Sequence, residues 1–246
     1  ADAFWTAAGL AVGTYINWLV VSKRLRRYSI AANNAITLPE FFSNRFHEKK
    51  KVIMGISAAF ILVFFTVYAA SCLVTCGKLF STLFGAPYIT MMLVGAAFVL
   101  IYTLLGGFLA ESASDFMQAI VMVVVLVAVL TLGVASAGGL GAVFENVKDF
   151  PGFLEFFGIA DPVTEGGVQL AVNGVPSFGA RQNYGALNVA SMLAWGLGYF
   201  GMPQVLLRFM AIRREDELKR ARRVAMVWVV ISLAAAIMIG IVGRAL

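Results

Sequence analysis

The chain has 246 residues, of which 61% are hydrophobic and only 13% charged, with a net charge of +6. Soluble domains contain about 45–50% apolar and about 25% charged residues, so this composition excludes a soluble globular protein and predicts an integral membrane protein. Two cysteines and one histidine exclude a disulfide scaffold and are too few for a transition-metal site built on these ligands.

Six apolar runs predict the spanning helices, because each has close to the about 20 residues that cross a bilayer. They cover approximately residues 3–22, 52–80, 88–105, 112–137, 187–211 and 224–242. Together they predict an all-α protein whose 246 residues form a single transmembrane domain. Thr37, Pro39 and Glu40 predict a short capped helix in the first connection, since they stand in the order of a capping box.

The placement of the basic residues predicts the orientation in the membrane. Fifteen of the 19 lysines and arginines lie in the connections 23–51 and 208–223, which the positive-inside rule places in the cytoplasm. This distribution favours a lipid bilayer, and not nucleic acid, as the partner of the positive charge. The long connection 138–186 is then extracellular or periplasmic, and its four phenylalanines between 150 and 157 predict a short amphipathic helix at the membrane surface.

The fifth apolar run contains residues that an uninterrupted spanning helix disfavours. Gly196, Gly198, Gly201 and Pro203 lie within it, so a discontinuous helix is predicted. Its opened backbone must face protein or a polar cavity, because lipid cannot satisfy it, and a binding site is the natural occupant. The glycines match G-x-G-x-x-G, but their place inside a membrane span excludes a dinucleotide site. The alternative, close helix packing, fits poorly because no two of these glycines lie four residues apart.

Aromatic side chains mark the same run and one earlier helix. Trp195 and Tyr199 lie four residues apart, with Pro203 four further on, so an α-helix presents all three on one face. Such a face serves either core packing or ligand binding, and both remain open. Tyr68 begins a second stripe, with hydroxyl residues three and seven positions later, for which bonds to neighbouring helices are the simpler explanation.

Asp115 is an ionisable residue at or just inside the predicted fourth span. Such residues are costly in a membrane and are by default functional candidates. The alternative is an N-terminal helix cap, since Ser114 and Asp115 are both residue types that begin helices. A carboxylate beside the hydroxyls of Ser112 and Ser114 and the amide of Gln118 offers hard oxygen ligands, which suit an alkali cation and not a transition metal.

Several segments, in this order, resemble a known family. They are residues 37–42 (TLPEFF), 102–108 (YTLLGGF) running into Asp115 and Gln118, and 196–204 (GLGYFGMPQ) running through 208–210 (RFM). These motifs are similar to those of the sodium:solute symporter family, and most of all to its sodium/proline symporters. The resemblance extends over nearly the whole chain and is weakest in residues 138–186.

The resemblance implies a bundle of five-plus-five inverted repeats in a bacterial cytoplasmic membrane, which couples inward sodium movement to L-proline uptake. By the same resemblance, Trp195, Tyr199 and Pro203 belong to the proline site, and Tyr68 to a functional position near it. Asp115, with Ser114 beside it, belongs to the sodium path. Sodium is the transported ion, and no cofactor is implied.

The family's first core helix would precede Ala1, and its later sodium-binding helix would follow Leu246. The chain is therefore interpreted as an internal fragment or a truncated form, whose site is completed by N- and C-terminal helices of the same transporter. This hypothesis predicts no coupled transport by the 246 residues alone.

Two other functions remain open. One is sodium symport of another small metabolite, such as a sugar, sialic acid or pantothenate, because Trp195 and Tyr199 do not by themselves select a substrate. The other is a non-transporting membrane sensor or assembly module that keeps the helices and not the transport cycle. An intramembrane enzyme is not expected, since no histidine, Ser/Lys pair or carboxylate pair is predicted at membrane depth.

Overall fold

In the computed structural model, residues 1–172 and 175–246 are described, and helices account for most of them. In chain order the helices are α1 (Asp2–Ile16), a π-helix (Asn17–Val21), α2 (Ser22–Ala31), α3 (Leu38–Arg45), α4 (Val52–Phe84), α5 (Tyr88–Ser136), α6 (Leu140–Val147), α7 (Ala186–Leu193), a 3-10 helix (Ala194–Phe200), α8 (Pro203–Ala211) and α9 (Glu217–Ala245). Four continuous segments, Asp2–Ala31, α4, α5 and α9, are long and apolar enough to cross a membrane. The predicted all-α membrane class is confirmed.

The residues fall into two compact units. The larger is built from both ends of the chain, residues 1–31 and 123–246, and the smaller from residues 32–122. The smaller unit holds α3, α4 and the first part of α5. The larger unit holds the predicted discontinuous helix and the first helical segment, which packs on it.

In the smaller unit, α3 begins at the predicted cap. The hydroxyl of Thr37 accepts a hydrogen bond from the Glu40 amide at 3.3 Å, and the Glu40 carboxylate accepts one from the Ile36 amide at 3.1 Å. The side chains of Leu38 and Phe41 are buried, and α3 packs on α4. The capped helix predicted for this connection is confirmed.

α5 is one helix of 49 residues with a single interruption at Gly107. Gly107 has φ 53° and ψ −144°, a combination that glycine adopts at little cost because it has no Cβ. The sequence predicted two separate helices here, over the apolar runs 88–105 and 112–137, and the extent of the break between them is wrong, since the helix continues to Gly106 and resumes directly after Gly107. Asp115 consequently lies eight residues beyond the interruption, inside the resumed helix. The alternative that Asp115 caps a helix start is wrong.

In the larger unit, α1, the π-helix and α2 follow one another without an intervening loop. The connection predicted from residue 23 is therefore helical as far as Ala31, and its first four basic side chains lie on a helix. α1 contacts α7, the 3-10 helix and α9, while α2 contacts α8. The fully buried ring of Phe209 on α8 packs edge-on against Trp18, with ring centroids 4.6 Å apart.

Residues 138–186 contain more regular structure than the sequence predicts. α6 contacts α9, and its Val143 and Val147 are buried. Three antiparallel pairs of two-residue strands follow: β1 (Gly158–Ile159) with β6 (Gln182–Asn183), β2 (Thr164–Glu165) with β3 (Val168–Gln169), and β4 (Ala171–Val172) with β5 (Val175–Pro176). The amphipathic helix predicted around residues 150–157 is wrong, because those residues form turns and bends, and the apolar helix of this region is α6.

Candidate functional site

The predicted discontinuity lies between Leu193 and Pro203. α7 ends at Leu193, the 3-10 helix follows, and α8 begins at Pro203. Proline has no N–H and disfavours the helical conformation of the residue before it, so Met202 is extended, with φ −75° and ψ 112°. The prediction of a discontinuous helix over 187–211 is therefore confirmed, and its cause is local to the chain.

One glycine of the segment makes a close contact with α1. Gly196 is buried, and a Cβ added there would lie 3.1 Å from the Cα of Gly13 and closer still to the backbone of Gly9. A Cβ added at Gly9 would lie 2.6 Å from the carbonyl oxygen of Leu193. Close packing, which the glycine spacing within the segment disfavoured, is thus a role of Gly196. The signal that identifies it lies in α1, where Gly9 and Gly13 stand four residues apart as in G-x-x-x-G.

The 3-10 helix changes which side chains share a face. With three residues per turn, residues three apart eclipse each other, so Tyr199 lies on the face of Gly196, and Trp195 lies about 120° away from Tyr199. Exposure agrees, because Trp195 is 63% exposed whereas Tyr199 is half-buried. The prediction of one shared face is wrong, since it assumed α-helical geometry. Gly198 and Gly201 are exposed, which leaves part of the opened backbone uncovered within this unit.

A buried amide meets the opened backbone. Asn17, the first residue of the π-helix, is 1% exposed, and its Nδ2 donates a hydrogen bond to the Tyr199 carbonyl oxygen at 2.8 Å. In an α-helix that carbonyl accepts from the amide of the residue four positions later, but this residue is Pro203, which has no N–H. Asn17 therefore supplies the missing donor. Asn17 was not among the predicted site residues, and the signal that identifies it is an amide side chain inside an apolar span.

Further polar atoms near the discontinuity have unused hydrogen-bonding capacity. The oxygens Thr14 Oγ1, Asn17 Oδ1 and Gln204 Oε1 are buried without a hydrogen-bond partner among the residues that the structure describes. Thr14 lies three residues before Asn17, and Gln204 follows Pro203 at the start of α8. Unsatisfied buried oxygens are costly, so these atoms are available to a polar or cationic group that enters the region.

The remaining predicted site residues lie in the smaller unit, apart in the chain from the discontinuity. Tyr68 on α4 is exposed, and the hydroxyl of Ser71 donates to the Tyr68 carbonyl oxygen at 2.7 Å, a bond within the same helix. Ser114 and Asp115 are half-buried on α5. The side-chain amide of Gln118 donates to Ser114 Oγ at 3.0 Å, so the structure joins two of the polar residues that the sequence grouped with Asp115.

Polar contacts connect α8, the half-helix after the discontinuity, to α2. Arg26 Nη1 donates to the Met210 carbonyl oxygen at 2.6 Å, and Arg27 forms an ion pair with Glu215 just beyond α8. Lys23 adds a second, longer ion pair to Glu215 at 3.8 Å. The hydrogen bond from Arg27 lowers the pKa of Glu215, with a smaller opposing effect of burial and further help from the two positive charges.

Other contacts connect the first helix to the connection 138–186, which leads into α7. The hydroxyl of Tyr184 donates to the carboxylate of Asp2, and Trp5 Nε1 donates to the Phe156 carbonyl oxygen at 2.7 Å. Burial, then the hydrogen bond and the negative charge of Asp2, raise the pKa of Tyr184 to about 12. Both halves of the discontinuous helix are thus attached, at their outer ends, to the first helical segment.

Comparison with known proteins gives consistent matches across the chain. A model of the sodium:solute symporter family matches residues 1–246. The osmoregulated proline transporter OpuE of Bacillus subtilis is 36% identical over 245 residues, which are 99% of this chain and 45% of the relative. The sodium/proline symporter of Escherichia coli is 37% identical over 241 residues, which are 98% of this chain and 43% of the relative. The sodium/proline symporter of Haemophilus influenzae is 41% identical over 237 residues, which are 96% of this chain and 43% of the relative. The chain thus spans less than half the length of these relatives, and no solved structure matches it.

Proposed function

The chain belongs to the sodium:solute symporter family, and from this premise we propose that it forms part of a transporter that couples inward sodium movement to L-proline uptake. The observation that carries the proposal is the discontinuous helix, which stands in a chain 36–41% identical to three proline transporters. Because the chain spans less than half of those relatives, coupled transport is proposed for the full-length gene product that carries it.

We assign the proline site to the discontinuity. Opened backbone at membrane depth offers hydrogen-bonding groups, and the N-terminus of α8 carries the partial positive charge of the helix dipole, which suits the carboxylate of proline. The side chains of Tyr199 and Pro203, and that of Trp195 from a different face of the 3-10 helix, are proposed to supply apolar and aromatic surface for the pyrrolidine ring. Tyr68 is proposed as a further residue on the substrate side. Gly196, buried against α1, keeps the segment close to that helix.

We assign a sodium path to the smaller unit. The half-buried carboxylate of Asp115 inside α5 is a hard oxygen ligand, and the Ser114 hydroxyl next to it is another. An ionisable side chain inside a membrane helix is retained where it serves an ion or proton pathway. N- and C-terminal helices of the same transporter are proposed to supply the remaining ligands of the sodium and substrate sites.

The proposed orientation follows the basic residues. The segments 23–51 and 208–223 are assigned to the cytoplasmic side of a bacterial inner membrane, because they hold fifteen of the 19 lysines and arginines. Residues 138–186 are then periplasmic or extracellular. In this orientation the ion pairs of Glu215 lie on the cytoplasmic side and the Tyr184 hydrogen bond on the other side.

The experiment that tests the proposal measures retention of labelled proline by the full-length gene product, with and without sodium. Tyr199→Ala is compared with the wild type. Tyr15→Ala is the matched control, because it removes the same type of side chain from a tyrosine whose ring contacts α9, 5.7 Å from the Arg222 guanidinium. We expect sodium-dependent retention in the wild type and the control, and a loss of about tenfold or more in affinity for Tyr199→Ala. Equal, sodium-independent retention in all three proteins refutes the function and the site.

A further inference from the structure

We infer that Asn17 is a positioning residue of the substrate site: its buried amide holds the Tyr199 carbonyl and thereby sets the place of the Tyr199 side chain. The inference rests on the proposed function, because it takes Tyr199 as a substrate-contacting residue. It assigns a role to the first helical segment, which contributed no residue to the predicted site. The contact joins residues 182 positions apart in the chain.

The first step concerns the carbonyl. Pro203 removes the amide that the Tyr199 carbonyl oxygen would meet in a continuous helix, so this oxygen needs a donor from elsewhere. Water and lipid headgroups are absent from the hydrocarbon core, and an oxygen left unpaired there is costly. The Asn17 amide lies 2.8 Å from it and is itself buried. The pair is therefore a required contact of the discontinuous segment, and not an incidental one.

The second step concerns reach. An asparagine side chain is short, so α1 and the 3-10 helix must approach closely for the bond to form. Gly9, Gly13 and Gly196 permit this approach, because each would place a Cβ on the backbone of the facing segment. The π-helix that begins at Asn17 shifts the register of the side chains locally, a feature that is frequent at functional sites.

The third step joins the bond to the substrate. The carbonyl that Asn17 holds belongs to the same residue as the proposed substrate-contacting ring, so a rotation of that peptide displaces the Tyr199 side chain. The Asn17 Oδ1 atom is buried and has no partner in the described part of the chain, so the amide is oriented by its bond to Tyr199. Loss of this donor frees the peptide while the helices on either side remain packed.

The test uses sodium-driven proline uptake by the full-length gene product in membrane vesicles, with KM, maximal rate and protein amount measured separately. For Asn17→Ala we expect KM for proline to rise about tenfold, with the amount of protein within about twofold of wild type. Asn17→Leu, which keeps the number and branching of the side-chain heavy atoms and lacks the donor, has the same expected KM, and Asn17→Gln recovers part of the affinity. Asn44→Ala is the matched control, because Asn44 Nδ2 makes the same kind of bond, to the Ala32 carbonyl oxygen at 2.9 Å.

A double-mutant cycle separates positioning from general destabilisation. In a Tyr199→Ala background, Asn17→Ala should raise KM by less than about twofold, because the ring that Asn17 positions is gone. If the Asn17→Ala variant does not accumulate in the membrane, Asn17→Ser replaces it in both backgrounds, with the same expected changes in KM. The side chain of serine is too short for its hydroxyl to reach the Tyr199 carbonyl oxygen.

Three results overturn the inference: an unchanged KM in Asn17→Ala or its serine substitute, full affinity in Asn17→Leu, or equal effects of Asn17→Ala in both backgrounds. These outcomes leave the proposed function standing as long as Tyr199→Ala raises KM. An unchanged KM in Tyr199→Ala instead removes the site assignment, and the inference falls with it.

Discussion

The close contact between α1 and the discontinuous helix can be tested at Gly9, where an added methyl group should lower the stability of the protein. A Cβ introduced by Gly9→Ala would lie 2.6, 2.7 and 2.9 Å from the O, Cα and C atoms of Leu193. All three atoms are backbone, so no side chain can rotate away, and α1 and α7 must separate by several tenths of an ångström. Overpacking of this kind costs about 1–3 kcal/mol, and the higher helix propensity of alanine returns up to about 1 kcal/mol. Because all three close atoms at Gly9 are backbone, the cost of overpacking exceeds the gain in helix propensity, and we expect a net loss of about 1–2 kcal/mol.

The assay for this prediction is thermal unfolding of the detergent-purified protein, in which 1 kcal/mol corresponds to about 2–4 °C for a domain of this size. The expected fall in Tm for Gly9→Ala is therefore about 2–8 °C. Gly240→Ala is the matched control, because a Cβ at Gly240 meets nothing within 4 Å, and its Tm should be unchanged or higher. Equal Tm values for Gly9→Ala and the wild type would refute the close contact, and with it the reach that the Asn17 bond requires.

Two further predictions concern the discontinuity and its attachment to α1. Pro203→Ala restores an N–H from which the Tyr199 carbonyl can accept a hydrogen bond, so we expect a more continuous helix with an equal or higher Tm. Proline binding should be weaker by about tenfold or more. Unchanged affinity for proline together with a raised Tm would contradict the assignment of the site to the discontinuity. The pKa of Tyr184 is raised from 10.0 to about 12, so the folded state favours the neutral phenol. The contribution of this phenol to stability is therefore complete below pH 10.0 and is lost as the pH rises towards 12. Tyr184→Phe should remove this alkaline loss, which melting curves recorded on either side of 10.0 will detect.

The sequence alone identifies the features that depend on composition and on constraints within a few residues. Apolar runs of membrane length predict the helical membrane class, and the Thr37 cap follows from a local hydrogen bond that the structure contains. The discontinuity also follows locally, because the missing N–H of Pro203 and the extended residue before it are covalent properties of proline.

Tertiary structure decides which residues meet at the discontinuity and in which geometry. The type of helix over 194–200 cannot be obtained from spacing, and it determines that Trp195 and Tyr199 lie on different faces. The partners Asn17 and Tyr199, and Gly9 and Gly196, are more than 180 residues apart, so their contact depends on how the first helix packs against the fifth apolar run, which is distant from it in the chain. The sequence thus specifies where the helix opens, while packing specifies what satisfies the opened backbone, because a freed carbonyl can be paired by any donor that the fold brings within reach.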